Sequence, residues 1–152
     1  MNKSGLRAYL VEILLFLSYA FFAVNWIAGA TLTKSIMSFF GLTSFAAATM
    51  ISNAITLAKI FGNLMAAWFL VKLRPKWAVS FASGLIVVGA LLAAFATEYW
   101  MFVAMRFVMG FGGALLIVYF SPFIIRYFEP EQRPLMNGIN ASAYNIGSIL
   151  AM

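Results

Sequence analysis

The chain contains no cysteine, no histidine and no aspartate, and its whole acidic complement is four glutamates. Without cysteine there are no disulfides, and without cysteine or histidine the usual ligands of zinc and haem are missing. Catalysis by an activated nucleophile needs a base, and few side chains here could serve as one. No cofactor or metal is expected, and an integral-membrane enzyme ranks last among the function classes considered. Charge of either sign is scarce too, at 9% of residues against roughly 25% in a soluble domain.

Hydrophobic residues fill that space, at 64% of 152 residues and a mean hydropathy of +0.98. Apolar stretches of about 20 residues recur along the chain, the length that crosses a bilayer as a helix. Their continuity excludes the alternating pattern of a transmembrane barrel strand. The expected fold is all-α, a polytopic transmembrane helix bundle forming a single domain over residues 1–152. Five spans are expected, at 8–31, 43–71, 78–97, 100–125 and 135–152, with LTKSIMSFFGL, KLRPKW and RYFEPEQRP among the connections. The first is too long, and too polar at Asn25, for a cleaved signal peptide. The fifth is still apolar at Met152, which favours the leading part of a larger protein over a naturally small one.

The net charge of +6 would suggest nucleic acid in a soluble protein, but the positions of the cations give a better account. With the N-terminus inside, the inner segments hold Lys3, Arg7, Lys72, Arg74, Lys76, Arg126 and Arg133, against Lys34 alone outside. Positive-inside bias then places the N-terminus in the cytoplasm, as in a bacterial inner membrane. Lys59 and Arg106 remain, and both lie within spans.

In the second span Ser52, Thr56, Lys59 and Asn63 share one helical face, at spacings of 4, 3 and 4. A charge at that depth faces water or the bundle interior, or else its stem snorkels to the interface. About twelve residues separate Lys59 from the inner end, some 18 Å of helix, which favours the cavity. Asn25 is either interhelical glue or a ligand contact. The fifth span presents Asn140, Tyr144 and Gly147 at spacings of 4 and 3, with Asn145 and Ser148 beside them. In the fourth span Arg106, Gly110 and Gly113 share a face, and Gly112 adds to a small-residue surface where a neighbouring backbone can approach closely. Arg106 is read as a charged contact in a packed setting, or as an anchoring arginine. The third span offers only serines and glycines. The polar work therefore falls to the first, second, fourth and fifth. No carboxylate lies mid-span, since Glu12 is placed one turn in at the inner end and Glu98 in an outer loop. The principal proton-binding acid of any pump is thus not expected within these residues.

The R-x-x-x-G-x-G run of Arg106, Gly110 and Gly112 in a fourth span resembles the fourth-helix motif of the major facilitator superfamily. RYFEPEQRPLMNG is similar to the family's lead-in to its fifth helix, and the likeness runs from about Tyr9 to Met152. The resemblance implies a twelve-helix transporter in two six-helix halves, with helices one, two, four and five around the cavity and helix three peripheral. It also implies a gating loop after the second helix, matched here by Lys72, Arg74 and Lys76. Two positions depart from that loop motif: Val71 stands where the family has an acid, and Arg74 where it has a glycine.

The expected function is a secondary transporter of a small anionic or zwitterionic solute, working by alternating access. Its partners would be the solute, the lipid bilayer and a second half supplied by the same chain or another subunit, with no nucleic acid. Asn25, Lys59, Asn63, Arg106 and Tyr144 are the expected solute-binding residues, and Gly110, Gly112 and Gly113 the expected packing positions. A small non-transporting membrane protein acting as an assembly partner is the alternative.

Overall fold

A computed structural model describes residues 5–152; Lys3, counted among the inner cations, lies outside them. The described residues form α1 (Leu6–Thr31), α2 (Thr33–Phe39), α3 (Phe45–Ala94), α4 (Tyr99–Tyr127) and α5 (Arg133–Leu150), with no strand among them. The segment expected as the first outer loop therefore contains a short helix, α2. Phe40, just past its end, packs against the rings of Tyr99 and Phe102 at the start of α4.

α3 merges the second and third spans into 50 residues. At 1.5 Å per residue that is about 75 Å, more than twice the hydrocarbon thickness. The chain reverses within it at Arg74, whose φ of 62° and ψ of 151° are non-helical, and Pro75 follows. Residues 45–73 and 75–94 thus form two arms.

Close approaches give the direction of four pairings. Phe22 lies on Gly113, and Tyr19 lies on Phe120, so α1 and α4 are antiparallel. Gly110 meets Ile55 and Gly62 meets Ala114, so the first arm runs parallel to α4; Gly112 meets Ala82 and Gly89 meets Met109, so the second arm runs against it. Glu12 pairs with Asn140 and Ala20 with Gly147, which makes α1 and α5 parallel. Each direction is the one an up-and-down bundle requires. α4 is the hub, as the row of fully buried side chains from Leu115 and Leu116 to Tyr119 and Ile124 reflects.

The glycines of α4 make this hub possible by facing different neighbours. A methyl on Gly110 would lie 2.9 Å from Ile55 Cα in the first arm. On Gly112 it would lie 2.6 Å from the Ala82 carbonyl oxygen in the second arm, and on Gly113 2.6 Å from the Phe22 ring. Such contacts admit no side chain without displacement.

Among the described residues, α1, α3 and α4 are long and apolar enough to cross a membrane. α5, expected as a fifth apolar span, is not one of them, because Asn137, Asn140, Ser142, Asn145 and Ser148 occupy its 18 residues. It packs on α1 through Met136, Asn140, Ala143 and Gly147, a single stripe at spacings of 4, 3 and 4.

Candidate functional site

A cavity of about 440 Å³ lies among α1, the first arm of α3, α4 and α5. α1 contributes Tyr19 and Trp26, α3 Lys59, and α4 Ile117, Phe120 and Ser121; α5 supplies Asn137, Asn140, Ala141 and Tyr144. The second arm of α3 contributes nothing, matching the division of spans read from polarity.

Lys59 is the one cation among those lining residues. Its Nζ lies 4.0 Å from the centroid of the Trp26 ring, and Trp26 in turn packs at 5.6 Å on Tyr144. A cation over an indole face gains about 2 kcal/mol when desolvated, less than the several kcal/mol that withdrawal from water costs. Among the described residues no carboxylate bonds to it. The ammonium is thus half-buried, with an aromatic wall on one side and an open space on the other.

Arg106 occupies a different place. It is buried, and its guanidinium crosses to α1, where Nη1 donates to the Asn25 carbonyl at 2.6 Å and Nη2 to the Trp26 carbonyl at 3.0 Å. Gly29 leaves room for it, since a methyl there would overlap the guanidinium. These carbonyls belong to the turn that carries Trp26, so Arg106 sets the backbone behind the aromatic wall and does not itself line the cavity.

Of the five expected solute-binding residues, Lys59 and Tyr144 line the cavity together. Asn25 turns its amide back onto the Phe21 carbonyl at 2.9 Å, and Asn63 is exposed a turn beyond Lys59. Tyr19, Trp26 and Asn137 were not anticipated. Aromatic residues are so common here, at 17%, that no spacing singled out Tyr19 or Trp26, whereas Asn137, on the stripe with Asn140 and Tyr144, carried a readable signal. Glu12, expected one turn in at the inner end, is buried there and accepts a hydrogen bond of 2.6 Å from Asn140 Nδ2, because α1 turns that face onto α5.

At the reversal of α3, Lys72, Arg74 and Lys76 are all exposed. Lys72 lies 4.8 Å from the Trp68 ring and Lys76 5.8 Å from the Trp77 ring. Arg74 holds a backbone conformation that only glycine adopts freely.

A kinked bundle of apolar helices around a cation-bearing cavity defines an integral multi-pass membrane protein. The family profile described as Major Facilitator Superfamily matches residues 13–152, and the chain belongs to that family. It is 24% identical over 150 residues to an uncharacterized protein of Mesomycoplasma hyopneumoniae strain J, covering 91% of this chain and 31% of the relative. The uncharacterized protein mhp246 of strain 232 matches to the same extent. The uncharacterized protein Cj0987c of Campylobacter jejuni is 28% identical over 155 residues, covering 100% of this chain and 48% of the relative. The chain thus spans less than half the length of these relatives. No solved structure matches it.

Proposed function

We propose that this chain is one half of a secondary transporter that moves a small anionic or zwitterionic solute by alternating access, with the cavity around Lys59 as this half's share of the solute site. A second half, from the same chain or another subunit, completes the site, and the three cations at the reversal of α3 belong to the cytoplasmic gate. The N-terminus is cytoplasmic in this reading, in a bacterial inner membrane.

The observation that carries the proposal is the half-buried Lys59 ammonium beside the cavity, whose one partner among the described residues is the face of Trp26. An anion entering there supplies the charge the protein withholds, while Tyr144 and Asn137 offer hydrogen bonds and Trp26 a flat apolar wall. Family membership supports the transport class.

The test is ligand-induced stabilisation of the purified full-length protein by a panel of small carboxylates, inorganic anions and neutral solutes. At least one anion is expected to raise the melting temperature, as any ligand binding only the folded state must. Lys59→Met should weaken that binding more than about tenfold while remaining folded. An anion that stabilises both proteins equally contradicts the proposal.

A further inference from the structure

Glu12 and Asn140 carry a hydrogen-bonding deficit that a single proton removes. Both side chains are almost fully buried, at 4% and 3% exposure, and they are joined by one bond from Asn140 Nδ2 to Glu12 Oε1. The second oxygen of each, Glu12 Oε2 and Asn140 Oδ1, is sealed from solvent without a partner among the described residues. An ionised carboxylate has about four acceptor sites to satisfy, and this one finds a single donor. Its surroundings are apolar: Ala8 and Leu15 flank it on α1, and Met136 and Ala143 flank Asn140 on α5, all buried. Each of the two joined groups thus leaves one buried acceptor without a donor among the described residues.

Among the described residues, the charged and titratable groups nearby do not supply one. Arg133 of α5 gives its donors to the Phe128 and Ile125 carbonyls, and Tyr9 of α1 accepts from Gln132. Arg7 of α1 and Arg126 of α4 are exposed, and the turn before α5 adds only Glu129 and Glu131. Lys59, Tyr19 and Tyr144 lie toward the cavity, where Lys59 is engaged with Trp26. Because Oε2 is already enclosed by this chain's own atoms, no outside group reaches it without displacing them.

We propose that Glu12 is a proton-binding site and that its neutral acid clamps α1 to α5. A proton from water bonds to Oε2, the charge on the carboxyl disappears, and the new O–H donates to Asn140 Oδ1 while Nδ2 still donates to Oε1. The result is an acid–amide pair with two hydrogen bonds and no bare acceptor facing another. Loss of the proton breaks one bond and strands a charge between the two helices. The clamp involves neither Lys59 nor any ligand, and shares with the cavity only Asn140, whose side chain is turned to Glu12.

The test uses the full-length protein in lipid bilayers, with infrared spectra at neutral pH for the parent and for Glu12→Gln. The difference should contain the carbonyl stretch of one protonated carboxylic acid and no carboxylate stretch. Glutamine reproduces the neutral acid, offering Nε2 to Asn140 Oδ1 and Oε1 to Nδ2. Glu12→Gln should therefore keep the parent's melting temperature, whereas Glu12→Ala and Asn140→Leu lower it. A lost carboxylate stretch, or a Glu12→Gln protein that melts as low as Glu12→Ala or fails to fold, overturns the proposal.

Discussion

The two cations inside the bundle divide structural and ligand-facing duties, and substitution should separate them. Arg106 makes two charge-assisted bonds to carbonyls of α1 and fills the space left by Gly29. Arg106→Ala should lower stability by about 2 kcal/mol or more, since a hydrogen bond to a charged group is worth about 1.5–3 kcal/mol. Thermal melts in detergent check this. Gly29→Ala should destabilise through the same contact, because its methyl would overlap the guanidinium. Lys59 makes no such bonds, and Lys59→Met should leave the melting temperature unchanged or raised. The sequence made both cations visible as charges in apolar spans, and placed Lys59 on the right face through the stripe from Ser52 to Asn63. It did not distinguish their roles. A guanidinium bonded to carbonyls 80 residues away leaves no local trace, because every residue supplies a carbonyl.

Helix contacts were legible in a different way. The glycines of α4 announced close packing, yet only the folded chain assigns a different neighbour to each. Gly112 faces backbone of the second α3 arm, which cannot yield easily, whereas Gly113 faces the Phe22 ring, which can turn. Gly112→Ala should therefore cost about 1–3 kcal/mol, the usual range for overpacking, and more than Gly113→Ala; paired denaturation curves test the order. The turn within α3 offers the opposite kind of change. Glycine stands in the family motif where this chain has Arg74, and the backbone there sits at φ 62°, ψ 151°. Arg74→Gly should raise stability by about 1 kcal/mol by relieving that conformation, with Lys72→Gly as the control that brings no gain. Apolar length made the long helices α1, α3 and α4 legible. α2 was missed because TKSIMSF is too short to show a period, and α5 proved more polar than a lipid-facing span because one of its faces addresses α1 and the cavity.

The bundle as a unit has a polarity of its own. Arg7, Lys72, Arg74, Lys76, Arg126 and Arg133 gather at the end where α1 begins, α3 reverses and α4 gives way to α5, and Lys34 lies at the other. Reporter fusions after Lys34 and Glu98 should report outside and those after Lys72 and Glu129 inside; the reverse would overturn the orientation. The central claim, that the cavity around Lys59 receives the solute, can be tested most directly by thiol protection, because these residues contain no native cysteine. A cysteine placed at Asn137, on the cavity wall, would be labelled with a membrane-impermeant thiol reagent in the full-length protein stripped of any other cysteine. The labelling rate is predicted to fall when the stabilising anion is added, and to be insensitive to that anion once Lys59 is replaced by methionine. Equal protection with and without the Lys59 ammonium would contradict the account.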